Sequence, residues 1–171
     1  KCPACGTTYN KTPKAEYHLP PETILANRYI LGYAVKETEV FIAYMAWDKE
    51  ENKKVLINEY FPAFLSERTE ELCVEPENKK TSHIFMRGLA AFKDECIDLK
   101  DMPNVDVIGG FEENNTYYCV REIVDGIMVK NLIYNDLKIS DDYARRVLIL
   151  ILRSLNKIQK KGIIHGNITP E

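Results

Sequence analysis

The chain carries no basic surplus: 23 lysines and arginines face 26 aspartates and glutamates, for a formal net charge of −3. Neutralising a phosphate backbone requires such a surplus, so no nucleic-acid partner is expected. No apolar run approaches the roughly 20 residues that a membrane-spanning helix needs, and Val147 to Leu152 is only six residues long. No charged and apolar leader of the signal-peptide kind opens the chain. It starts at Lys1 without a methionine and stops at Glu171, and these ends read as cuts in a longer protein. The expected location is cytoplasmic, with tethering to a membrane through regions outside these residues left open. What is present is ordinary for a globular domain: 45% apolar residues, enough for a core, and 29% charged ones. A length of 171 residues holds one domain, or a small domain with part of another.

A second cysteine pair is also missing. Cys2 and Cys5 form the knuckle Cys-Pro-Ala-Cys-Gly, and the C-x-x-C spacing suits two corners of a tetrahedral zinc site. Zinc wants four ligands, so residues 1–8 read as half of a zinc ribbon, with structural zinc expected if a second pair precedes Lys1. The alternative is an unmetallated pair in a frayed terminus. Cys73, Cys96 and Cys119 lie alone among apolar neighbours and read as small buried hydrophobes in a reducing compartment.

Residues 9–21 are polar and carry Pro13, Pro20 and Pro21, which fits an extended linker. In it, His18 is a weak candidate zinc ligand. From Arg28 the pattern turns to strands. Tyr29–Val35, Val40–Trp47 and Lys53–Asn58 are rich in β-branched and aromatic residues and are separated by polar turns. The charge cluster Glu67 to Glu75 reads as a solvated loop. Phe85, Leu89, Phe92, Cys96 and Leu99 then recur at helical spacing, after Thr81 or Ser82 as N-cap. Two strands near 105–111 and 116–122 flank the turn Glu113-Asn114-Asn115. In these strands Tyr117 and Tyr118, like Tyr29 earlier, read as packing residues. Ser140 caps a last helix whose apolar face is Ala144, Val147, Leu148, Ile151, Leu155 and Ile158, closed by Lys160-Lys161-Gly162. A short strand, Ile163-Ile164, follows.

Several segments at consistent spacing carry a more specific signal: Arg28-Tyr29, Tyr44-Met45-Ala46-Trp47-Asp48, Glu59-Tyr60-Phe61-Pro62, Phe111-Glu112-Glu113-Asn114-Asn115-Thr116, Val124-Asp125-Gly126 and Gly162-Ile163-Ile164-His165. With His18 to Leu25 before them, they make residues 19–171 resemble bacterial serine/threonine protein kinases whose kinase domain follows a zinc-ribbon knuckle. The resemblance implies an α+β fold: a small lobe of a five-stranded antiparallel sheet and one helix at 22–124, then the first helices of a large lobe at 125–171.

The departures from that family's pattern are concentrated where its chemistry lies. Such kinases end a V-A-I-K strand in lysine, and here Val55-Leu56-Ile57-Asn58 puts Asn58 at that position. They close a glycine-rich loop over nucleotide phosphates, whereas the loop positions here include Lys36, Thr38 and Glu39, and Glu39 repels polyphosphate. Leu56 replaces the small residue that packs on the base, and Arg121 takes the gatekeeper position ahead of Glu122 and Val124. Glu95 sits where the helix glutamate would be, and a pair between Arg121 and Glu95 is expected in place of the lost lysine; the alternative leaves Glu95 exposed and Arg121 reaching for solvent. The H-R-D motif reads His165-Gly166-Asn167, so Asn167 has no carboxylate for the substrate hydroxyl and His165 reads as structural. These losses imply a pseudokinase that does not use ATP and magnesium and acts through protein partners, such as an active kinase or another signalling protein. An atypical or weakly active ATP-dependent serine/threonine kinase is the alternative reading, and a decaying gene product a third.

Overall fold

The computed structural model describes residues 12–100, 102, 105–124, 126, 131, 140–160 and 162. Cys2, Cys5, His165, Asn167 and the strand expected at 163–164 lie outside the described residues. The chain divides into two compact units, one of residues 1–101 and 105–123, the other of 102–104 and 124–171.

The first unit is built on an antiparallel sheet of strands β1 (Ile24–Leu25), β2 (Tyr29–Glu37), β3 (Phe41–Asp48), β4 (Lys53–Tyr60), β7 (Val107–Glu113) and β8 (Thr116–Glu122), in the order β1-β2-β3-β4-β8-β7. Five of these are the expected strands, and the two-residue β1 adds a sixth at the edge. Helix α1 (Ser82–Lys100) crosses from β4 to the β7–β8 hairpin. That hairpin is tight because Asn114 and Asn115 both adopt left-handed backbone, with φ of 52° and 59°, the geometry a two-residue turn needs to match strand twist.

Alternation along the strands separates two faces. On one, Tyr44, Ile57 and Val120 stand side by side in register, and Leu19, Leu25, Phe61 and Val74 join them in the main core. The other face packs on α1, where Cys96 is buried and Leu89, Phe92 and Leu99 are partly so, as their helical spacing predicts. Within α1, Gly88 makes room for the Tyr60 hydroxyl, which would stand 2.2 Å from a Cβ there and donates to the Phe85 carbonyl at 3.1 Å.

Two segments pack more closely than their composition predicts. The second half of the expected linker lies on the sheet: Leu19 is buried, Tyr17 stacks on Phe61 at 5.4 Å, and the His18 imidazole meets Glu37 at 3.2 Å. The expected solvated loop at Glu67–Glu75 is instead a ribbon of β5 (Ser66–Arg68) and β6 (Val74–Pro76). It folds because Arg68 has an acidic partner underneath. Glu59 is the inward-facing residue after Val55 and Ile57 on β4 and is 0% exposed. It accepts from Arg68 at 2.6 Å, from the Tyr44 hydroxyl at 3.1 Å and from the Tyr118 hydroxyl at 2.9 Å. Burial and the Glu59 charge push both tyrosines well above their ordinary range. At the start of β2, Arg28 forks onto Asp48 at 2.8 and 2.7 Å, while Asp48 also accepts the amides of Glu50 and Glu51, fixing the β3–β4 turn.

Among the described residues of the second unit, α2 (Asp141–Gln159) begins at Ser140, whose hydroxyl accepts from the Tyr143 amide at 3.2 Å. Asp141 and Asp142 lie in its first turn, and Gly162 follows it with a φ of 78°, so both ends match expectation. Of its expected apolar face, Ala144, Val147, Leu155 and Ile158 are half-buried while Leu148 and Ile151 are exposed.

Candidate functional site

The face of the sheet turned towards α1 collects most of the residues singled out by sequence. Strand register sets their neighbours. Leu56 stands between Met45 and Arg121, and Asn58 between Ala43 and Cys119. Asn58 is only 4% exposed, and its side-chain oxygen has no hydrogen-bond partner among the described residues. Burying an amide oxygen unsatisfied costs about 1–3 kcal/mol. A lysine here would carry an ammonium out from the sheet on the α1 side, whereas this amide contributes neither charge nor reach.

The turn between β2 and β3 is closed by side-chain bonding rather than left free. The Thr38 hydroxyl accepts the amides of Val40 and Phe41 at 3.3 and 3.0 Å, and the Thr38 amide donates to the Phe41 carbonyl at 2.9 Å. Amides that a glycine-rich loop would offer to phosphates are thereby used within the turn. Beneath it, Phe41 lies 6.4 Å from Phe92, which also meets Tyr60 at 5.6 Å and Tyr117 at 6.5 Å. Burial pushes the Tyr117 hydroxyl up to about 12. Glu39 and Glu95 both line a groove of about 420 Å³ between this turn and α1, with Val40, Tyr60, Ile84 and Phe92 among its walls.

Arg121 does not pair with Glu95. Its guanidinium forks onto Asp106, at 3.0 Å from Nε and 2.5 Å from Nη2. Val107 is the cross-strand partner of Arg121, and the carbonyl of Asp106, just before it, accepts the Glu122 amide at 2.7 Å, which holds the Asp106 carboxylate beside the guanidinium. A planar fork against a carboxylate is the strong geometry for arginine. Glu95 is exposed on α1, as the alternative reading had it, but Arg121 is tied down rather than reaching for solvent. Of the other candidates, Lys36 is exposed on β2 opposite Ala43, Glu122 pairs with Lys53 at 2.8 Å, and Val124 is exposed.

Sequence reading missed two groupings. The Glu59–Arg68 pair was foreshadowed by an acidic residue at an inward strand position, which demands a partner. Cys96 and Cys119 are not isolated: both belong to one cluster with Val107 and Tyr117. Neither His18 nor any other described residue belongs to a group of three or more side chains able to hold a metal ion.

No family model matches the chain. Serine/threonine-protein kinase D of Synechocystis is 34% identical over 61 residues, covering 36% of this chain and 11% of that protein. A probable serine/threonine-protein kinase PknB of Lactococcus lactis is 25% identical over 111 residues, or 63% of this chain and 17% of that protein. Among solved structures, the apo form of PpkA-294 superposes with a TM-score of 0.79 at 27% identity, over 91% of this chain and 56% of that one. The fold is that of a protein-kinase small lobe with the start of a large lobe. A second solved chain, Rad53 1-466 in complex with AMP-PNP, agrees in fold with a TM-score of 0.60 at 16% identity, over 84% of this chain and 33% of that one. The bacterial relatives support the kinase family at low identity. The chain spans less than a fifth of either of them. Among the described residues, no helix is long and apolar enough to cross a membrane.

Proposed function

We infer that this kinase-like domain is impaired in nucleotide use and phosphotransfer and acts in signalling through contacts with other proteins. The observation that carries this reading is Asn58, buried at the strand-four position where a kinase lysine would hold phosphates, with its amide oxygen unpartnered among the described residues. The closest substitute by sequence, Arg121, is engaged by Asp106. The hydrogen-bonded turn at Thr38 and the carboxylate of Glu39 act in the same direction, against a polyphosphate. Asn167 extends the impairment to the proton-accepting step, since an amide accepts no proton at neutral pH. Cys2 and Cys5 complete the proposal as half of a structural zinc knuckle beside the domain.

The test is a thermal-shift titration of the whole domain with magnesium and ATP. No stabilisation at millimolar nucleotide is expected. A ligand present at about a thousand times its dissociation constant stabilises by roughly 4 kcal/mol, so micromolar binding gives a shift of several degrees. Such a shift would favour the weakly active kinase instead.

A further inference from the structure

Cys96 on α1 and Cys119 on β8 are 3% and 6% exposed and face each other across the helix–sheet interface. Register and hydrogen bonding hold them there. As a thiol, Cys96 donates to the Gly109 carbonyl at 3.4 Å, and Gly110, the next residue, is the cross-strand partner of Cys119. Tyr117 packs in the same buried cluster as the two thiols, so both cysteines and the phenol share one small apolar pocket with Val107. Packing alone does not call for this arrangement, since aliphatic side chains would fill the same space. The pair is also unequal. Hydrogen bonding from Cys119, then from Tyr117, together with the nearby Arg121 charge, holds the Cys96 thiol below its ordinary range. The same hydrogen bond and burial push Cys119 up.

We propose that Cys96 and Cys119 are a dithiol redox site, oxidised by hydrogen peroxide to a disulfide that ties α1 to β8. The Cys96 thiolate attacks one peroxide oxygen; the S–O bond forms as the O–O bond breaks, and the departing hydroxide takes up a proton to become water. The sulfur of Cys119 then attacks the sulfenic sulfur of Cys96. The S–S bond forms, the S–O bond breaks, and the second water carries off the oxygen with the Cys119 proton. Two thiols have lost two electrons and one peroxide has gained them. Because both sulfurs are buried, local opening of α1 sets the rate. The inference goes beyond the reading of the nucleotide cleft and holds whether or not ATP binds.

The experiment exposes the full chain to excess hydrogen peroxide and quenches with catalase. Remaining thiols are alkylated with N-ethylmaleimide in denaturant, and peptides are mapped without reductant. The expected product joins the Cys96 peptide to the Cys119 peptide, lighter by two hydrogens than the separate thiols and split by dithiothreitol. In Cys119→Ser, dimedone should instead label Cys96 as a sulfenic acid. Recovery of both residues as maleimide adducts while half-buried Cys73 is oxidised overturns the proposal, as does Cys96 joined to any other cysteine. If Cys119→Ser does not fold, the mapping of the unsubstituted chain decides by itself.

Discussion

Replacing Arg68 with methionine tests what holds the β5–β6 ribbon on the sheet. Arg68 is 3% exposed in its side chain and donates to Glu59 at 2.6 Å and to the Leu72 carbonyl at 3.0 Å, with its guanidinium 5.0 Å from the centre of the Phe61 ring. Burial alone would lower its pKa, and the Glu59 carboxylate more than offsets this, so the group stays charged. Methionine keeps much of the stem but removes the charge. Glu59 is then a buried carboxylate left with two tyrosine hydroxyls, and the Leu72 carbonyl loses its donor. Breaking a buried ion pair by removing one partner costs about 3–5 kcal/mol. For a chain of this size each kcal/mol lowers the melting temperature by roughly 2–4 °C, so a fall on the order of 10 °C is expected by circular dichroism. Urea unfolding should show the same loss as a lower midpoint at unchanged slope. Glu59→Gln should also destabilise, by leaving the guanidinium unpaired. The double variant should be more stable than the sum of the two losses by about 2 kcal/mol, the signature of direct coupling. A single Arg68→Met variant within about 1 kcal/mol of the parent, or strictly additive losses, would refute the argument.

Asp106→Ala should cost about 1 kcal/mol, a charged hydrogen-bonded pair discounted for partial exposure, while Glu95→Ala should fall within about 0.5 kcal/mol of the parent; the reverse order in urea midpoints would restore Glu95 as the partner of Arg121. The Asp48 carboxyl is held below the usual carboxylate range, first by its hydrogen bonds from Arg28. Its folded pKa therefore lies under the unfolded value of about 3.9, and the stabilisation is complete above that pH and lost as pH falls through the folded value. Asp48→Asn should flatten the acid-side decline in urea midpoint below about pH 4, and a decline parallel to the parent's would contradict this. Finally, Asn58→Lys with Asn167→Asp should leave radiolabelled phosphate transfer from ATP at background, because Glu39, Leu56 and the Thr38-bonded turn remain; clear transfer would mean that two substitutions alone silenced the domain.

Local chemistry made much of this protein legible from sequence. Alternation placed five of the strands, the helical spacing of Phe85 to Leu99 found the face of α1, and Ser140, Gly162 and Asn114-Asn115 marked ends and turns through capping and left-handed backbone. The position of Asn58 followed from its strand and the segment after it, with no freedom to slip. Partners in space were another matter, because side chains distant in sequence meet only through register and packing. Arg121 could have reached Glu95 or solvent, and only the pairing of β7 with β8 brought Asp106 beside it. The charged stretch around Arg68 looks solvated until β4 places Glu59 beneath it. Three cysteines with nothing in common in the sequence became one pair and one single when α1 docked on β8. Interactions a few residues long set what each element is; tertiary structure decided which charges and thiols face each other, because the cost of burying them depends on what lies opposite.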